Sequence, residues 1–380
     1  MKVLSTDISG KVYRYDEALY QSVVNNINKD DAFVFGCPYF SVHANFRPLN
    51  LYSLVPSKYR GSSALWKRLI KIIEGIINYI VVLCFAKKEK TDIVHLQWLP
   101  FLEFCSLERW IIKLLKRLCP EIKVILTIHN VYPHNSSEIQ KRKYKNRILK
   151  IIPMIDAFIV HNNTSKRDIC YEFGIKEDSV FVIHHGIFVP DKLPLRKRDD
   201  NKIRLLLFGQ QSLYKGTDIL INAVELLPLS LRSQIEFHII GDTDSNLYKQ
   251  YVDKTKTLPI VWTNQFVSDD VLYQELQNTD LIIYPYRAIA QSGALLLGLY
   301  FKKPVIISDL PAFRETLGKD YPEEFVCEVG DAQSLADTIS KAVQNLDKLE
   351  SIRDIIQNII VNNSWESASQ KTINLYQQCL

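Results

Sequence analysis

The sequence predicts an α/β protein built from two successive Rossmann-like domains. Three observations carry that prediction. The first half alternates short apolar strands with helical segments, a charged stretch without apolar period interrupts it, and the same alternation then restarts. A chain of 380 residues has room for two cores. The expected division is a first domain at 1–190, a linker at 191–202, a second domain at 203–363 and a final amphipathic helix at 364–380.

In chain order, VLSTD (3–7) is the first strand, a loop with Gly10 follows, and residues 16–27 carry a helical pattern. AFVFGCP (32–38), DIVHLQW (92–98), KVILTIHN (123–130), AFIVHN (157–162) and VFVIHHG (180–186) are five further strands. Helical segments lie near 65–86, 102–118, 141–152 and 164–173. PDKLPLRKRDDNK is polar and aperiodic, hence a linker. The second set of strands is RLLLFGQ (204–210), EFHIIGD (236–242), PIVWTNQF (259–266), LIIYPY (281–286), PVIISD (304–309) and FVCEV (325–329). Such apolar runs suit parallel strands buried on both faces. Ligands of open parallel sheets bind outside the carboxyl ends of the strands.

Composition excludes several classes. Hydrophobic residues make up 47% and charged residues 23%, an ordinary globular balance, and a net charge of +5 does not mark a nucleic-acid protein. The seven cysteines are widely spaced without a CxxC, so reduced thiols are expected and no zinc site. MKVLSTDISG lacks the apolar centre of a signal segment, and the longest uninterrupted apolar run considered, GIINYIVVLCFA (75–86), is shorter than a spanning helix. A cytoplasmic protein is expected, peripheral to a membrane where basic residues (Lys67, Arg68, Lys71, Lys87, Lys88) mix with apolar surface in 65–90 and in RWIIKLLKRL (109–118). The competing reading is core helices with snorkelling lysines.

Four segments carry candidate chemistry. In FGQQSLYKGTDILINAV (208–224), a strand ends at Gly209 and Lys215-Gly216 leads into a helix, a good phosphate setting. In IIGDTD (239–244), Gly241 permits a tight turn, and Asp242 is either a ribose ligand or a helix cap. In YRAIAQSGALLLGLYF, Ser292 caps a helix whose free N–H groups favour an anion, and Gly293 lets a ligand approach the backbone. In TIHNVYPH, His129 stands at a strand end, and His95, His134, His161, His184 and His185 also fall near strand ends. They suggest a polar floor; their spacing does not suit a metal.

In this order and spacing, the segments resemble a GT-B fold retaining glycosyltransferase of glycosyltransferase family 4 (glycosyl transferases group 1). The resemblance spans nearly the whole chain and is strongest over 202–314. It implies two domains facing across a cleft and a final helix, SWESASQKTINLY, that crosses back to the N-terminal domain. It implies transfer of a sugar from a nucleoside diphosphate sugar to a saccharide acceptor, lipid-linked in view of the basic helices, with no metal and no further cofactor. Donor contacts fall on Gly209, Gln210, Lys215, Gly216, Gly241, Arg287, Gln291, Ser292 and Gly293. His129 falls where the family holds the reacting sugar, and Gly10, His95 and His134 are the acceptor-side candidates.

The chain departs from the family pattern in two places. Gln210 stands where relatives carry arginine, and Ile289 and Leu297 stand where relatives carry two glutamates across the donor helix. A variant site, in which Arg287 helps replace the missing arginine, and a non-catalytic sugar- or nucleotide-binding subunit both accommodate this. An epimerase of related fold requires a carboxylate pair that the sequence does not offer.

Overall fold

The computed structural model describes residues 1–38, 49–54, 65–133, 136–188, 192–196, 202–289, 292–345 and 349–380, with backbone alone at 65–68 and 349–351. The chain forms two compact units, one of Met1–Gly186 with Ser364–Leu380 and one of Ile187–Asn363.

The first unit carries β1 (Lys2–Thr6), α1 (Tyr13–Asn26), β2 (Ala32–Cys37), β3 (Leu49–Asn50), α2 (Leu65–Glu89), β4 (Ile93–Leu96), α3 (Leu107–Leu118), β5 (Lys123–Thr127), α4 (Glu138–Ile148), β6 (Ala157–Val160), α5 (Asn163–Phe173) and β7 (Val180–Val182). Its sheet runs β3-β2-β1-β4-β5-β6-β7, every pair parallel. The two-residue β3 is too short to show an apolar run, so six strands were expected where seven form. Every residue of β4 and β6 is buried, as strands covered on both faces require. α3 starts five residues later than the 102–118 expectation, because the Glu108 carboxylate accepts from the Phe101 N–H and holds the approach as turns. α4 starts earlier than expected, at a capping box between Ser137 and Gln140.

The second unit carries β8 (Ile203–Phe208), α6 (Thr217–Leu226), α7 (Leu229–Arg232), β9 (Ile235–Ile240), α8 (Ser245–Thr255), β10 (Ile260–Thr263), α9 (Asp269–Asn278), β11 (Leu281–Tyr284), α10 (Gly293–Tyr300), β12 (Val305–Ser308), α11 (Pro311–Leu317), β13 (Val326–Cys327), α12 (Ala332–Gln344) and α13 (Leu349–Asn362). Its parallel sheet runs β10-β9-β8-β11-β12-β13. The reversal of direction falls between β8 and β11, whose carboxyl ends therefore flank a switch point where ligands bind.

The chain returns to the first unit with α14 (Trp365–Cys379), capped by Ser364. Ser22 of α1 donates to the Trp365 carbonyl (3.0 Å) and meets the Ser369 hydroxyl (2.9 Å), and Tyr376 is fully buried. All seven cysteines are unbridged.

α2 exceeds its sequence expectation. Leu69–Glu89 is long and apolar enough to cross a membrane by length and composition, whereas the uninterrupted run seen in the sequence began only at Gly75. Lys71 and Glu74, which interrupt the apolar pattern, pair with each other at 2.6 Å. One face of α2 is nonetheless core: Tyr79, Val82, Leu83 and Ala86 are buried, and Asn78 bonds the backbone of Tyr52 and Ile8. The other face, Leu69, Ile72, Ile73, Ile76 and Ile80, is exposed.

Candidate functional site

In the second unit the loop after β8 meets the loop after β9. Gly209 (φ +97°) and Gly241 (φ +133°) both have backbone conformations that favour glycine. Gln211, fully buried, ties the two loops together. Its amide donates to the Gly209 carbonyl (2.7 Å), its backbone N–H to Asp242 (2.8 Å), and its carbonyl accepts from Asp244 (3.0 Å). Thr217 at the start of α6 donates to the Gln211 side chain (2.7 Å). Gln211 was not singled out from sequence; its neighbour Gln210 was, and Gln210 is exposed. Asp244 caps α8 by accepting from Asn246 and Leu247, while Asp242 is exposed.

Lys215 ends a 3-10 turn and is buried. Its ammonium donates to the Tyr286 hydroxyl (2.8 Å) and the Phe208 carbonyl (3.3 Å) and stands 4.9 Å from the Tyr286 ring centre. No carboxylate pairs with it among the described residues, and burial lowers its pKa. Gly209 gives it room: a Cβ there would lie 2.9 Å from the Lys215 Nζ. Gly216 (φ +71°) brings the turn against β11, since its Cβ would strike the Pro285 carbonyl.

Arg287 does not stand as a free cation in place of the missing arginine. Its guanidinium grips the Asp218 carboxylate at 2.8 and 2.6 Å and the Leu213 carbonyl at 2.7 Å, and its backbone N–H donates to Tyr214. It clamps the Leu213–Lys215 turn and so positions Lys215; its charge is matched by Asp218, which raises its pKa.

Ser292 caps α10 by accepting from the Leu295 N–H (3.1 Å), and a Cβ on Gly293 would meet nothing within 4 Å among the described residues. Gln291 lies outside the described residues. Ile289 and Leu297, at the glutamate positions of the family pattern, pack against the apolar core of the second unit. No group of three His, Cys, Asp or Glu among the described residues is placed to hold a metal.

In the first unit, histidines gather past the carboxyl ends of β5, β6 and β7. His129 Nδ1 lies 3.0 Å from His161 Nε2, and His161 Nδ1 lies 3.0 Å from the Ile183 carbonyl. Tyr15 packs on His129, His161, His185 and Trp365 with ring centres 5.0–5.4 Å apart. Burial depresses all three imidazoles, His161 to about 4 and His185 to about 3. Tyr15 escaped the sequence reading, which began the helix at residue 16, whereas α1 starts at Tyr13.

His95 is not part of this edge. It sits inside β4, fully buried, with Nδ1 2.7 Å from the Tyr376 hydroxyl and Nε2 2.7 Å from Thr127. Both nitrogens are satisfied, so it is a core residue and not an acceptor contact; burial holds its pKa down to about 3. His134 lies outside the described residues. Gly10 (φ +64°) closes the loop after β1, organised by Asp7, whose carboxylate accepts from Ser9 N–H and hydroxyl and from Val12 N–H. Beside Asp7, the Asp16 carboxyl is buried with no hydrogen-bond partner among the described residues, and burial together with Asp7 raises its pKa well above the usual range.

Residues 202–345 match the model for glycosyl transferases group 1, and residues 41–189 match that for glycosyltransferase family 4. A curated relative, the GDP-mannose:glycolipid 4-beta-D-mannosyltransferase of Xanthomonas campestris, is 23% identical over 238 residues, covering 58% of this chain and 62% of the relative. The fold is that of HepE from Anabaena, solved with UDP and glucose (TM-score 0.69, 16% identity, 100% of both chains). A glycosyltransferase from Rickettsia africae is similarly close (TM-score 0.70, 18% identity, 100% of this chain and 98% of that one). With two family models spanning both units and a shared two-sheet architecture, the chain belongs to the GT-B glycosyltransferases of group 1 and family 4.

Proposed function

We propose that this protein transfers a sugar from a nucleoside diphosphate sugar to a saccharide acceptor, with retention of configuration and without a metal. The bond between the anomeric carbon and the diphosphate breaks, the acceptor oxygen bonds that carbon, and the acceptor proton leaves with the phosphate. Stabilising the departing negative charge is the main electrostatic task. The observation that carries the reading is Lys215: a buried ammonium with no carboxylate partner among the described residues, set between a glycine turn and Tyr286. A diphosphate supplies the missing anion. Gly209, Gly216, Gly241 and the N–H groups at Ser292 and Gly293 leave backbone close to it. The proposed base is uracil or guanine, since HepE was solved with UDP and a Xanthomonas campestris relative is named for GDP-mannose.

The acceptor is proposed to be lipid-linked and to reach the first unit at a membrane surface on the cytoplasmic side. Exposed apolar residues on α2 and the exposed Phe104, Trp110, Leu114 and Leu118 in and beside α3 support this. So do Arg109, Lys113, Arg117 and Lys150, which line one hollow with Lys116 and have no carboxylate partner among the described residues. His129 is proposed to hold a sugar hydroxyl. Turnover of radiolabelled UDP- and GDP-sugars onto lipid-extracted acceptors tests the reading, with His129→Ala expected to lower turnover about a hundredfold. The apolar Ile289 and Leu297 favour a second reading, a non-catalytic binding subunit. It is chosen if the wild type binds nucleotide but transfers no sugar.

A further inference from the structure

Two side chains and a backbone carbonyl beyond β5, β6 and β7 form a chain of hydrogen bonds whose direction follows from its end. The Ile183 carbonyl can only accept, so His161 Nδ1 carries a proton. A neutral His161 then offers a lone pair at Nε2, and His129 Nδ1, 3.0 Å away, must be the donor. That leaves the lone pair of a neutral His129 on Nε2, which is buried with no partner among the described residues. Burial disfavours the cation at both rings. The Gln97 carbonyl also lies against His129, whose further titratable neighbours, His185 and His95, are held neutral by burial.

We infer that His161 is a positioning residue: anchored on the Ile183 carbonyl, it fixes His129 as the Nδ1–H tautomer, so that His129 Nε2 serves as an acceptor for a ligand hydroxyl. This rests on the reading of His129 as a sugar contact and specifies it. The group His129 takes must donate a proton, as a saccharide hydroxyl does and an ionised phosphate oxygen does not. The opposite arrangement, Nε2–H directed at the Gln97 carbonyl, requires His161 to carry protons on both nitrogens in a buried setting or to turn its lone pair toward a carbonyl oxygen. Tyr15, packed across His129 and His161, holds both ring planes.

Long-range nitrogen–proton correlation spectra of the full chain, labelled with 15N-histidine at pH 8, read the tautomers directly. Comparison with His129→Gln assigns the signals. In the wild type, His129 is expected to show a protonated Nδ1 and a pyridine-like Nε2. In His161→Phe the His129 pattern is expected to move toward Nε2–H. His161→Gln, whose amide can donate to Ile183 and accept from His129, is expected to restore Nδ1–H. A protonated Nε2 on wild-type His129 overturns the inference, as does an unchanged pattern in a folded His161→Phe. If that variant does not fold, the wild-type spectrum alone decides. None of these readouts depends on sugar transfer, so failure of the proposed activity leaves them interpretable.

Discussion

Gly241 lies so close to Gly209 that a Cβ on Gly241 would stand 2.1 Å from the Gly209 carbonyl oxygen. The two glycine turns at the ends of β8 and β9 are therefore one packed unit, tied by Gln211. Gly241→Ala is expected to destabilise the second unit by more than about 2 kcal/mol, through a strained backbone and a backbone collision. Urea unfolding of the full chain checks this; a loss under about 0.5 kcal/mol would show that the loops separate at no cost.

The buried histidines make the first unit acid-sensitive. His161 and His185 have folded pKa values of about 4 and about 3 against 6.5. A depressed folded pKa gives stability that is present above pH 6.5 and is lost as pH falls toward the folded value. Each histidine then costs up to about 1.4 kcal/mol per pH unit in that window. Relative to wild type, His185→Gln is expected to gain stability steadily from pH 6.5 to 4. A difference independent of pH would contradict this.

Asp16 works in the opposite direction. Its raised folded pKa gives stability present below the unfolded value of 3.8 and lost as pH rises through the folded one. Asp16→Asn keeps the shape and removes the titration. The variant is expected to match wild type near pH 3.8 and to become the more stable by up to about 1.4 kcal/mol per pH unit above it. A variant less stable than wild type at pH 7 would mean that the Asp16 carboxylate has a partner that stabilises its charge.

Much of this was legible in the sequence because burial writes itself into apolar runs. β8, β9, β11 and β12 fall within their predicted segments or one residue outside them, and Gly209, Lys215, Gly216 and Gly241 fall in one region. What the sequence hid was pairing. Arg287 looks available until Asp218, in the first turn of α6, is seen to grip it. His95 and His129 look alike as strand-end histidines. Yet His95 faces Thr127 and Tyr376, a partner 281 residues away in sequence. Gln211 carries no motif, and its role arises only from two loops touching.

The exposed apolar and basic faces of α2 and α3 are expected to bind vesicles containing phosphatidylglycerol. Each basic residue near the surface adds about 1 kcal/mol, screened by salt. Co-sedimentation at 50 and 500 mM salt, with the charge-reversed pair Lys113→Glu and Arg117→Glu, is expected to show strong, salt-sensitive binding lost in the variant. Wild-type protein left in the supernatant at low salt would make these faces solvent-exposed helix surface only.

The central claim is that Lys215 is the phosphate cation of a donor site. Titration calorimetry with UDP and with GDP, on wild type and Lys215→Met, tests it most directly. Methionine keeps an apolar stem and removes the charge. One nucleotide is predicted to bind the wild type, with affinity weakened in the variant by about 1.5–3 kcal/mol, as for a lost charge-assisted bond. The same dissociation constant for both proteins, or no binding of either nucleotide to the wild type, would contradict the account.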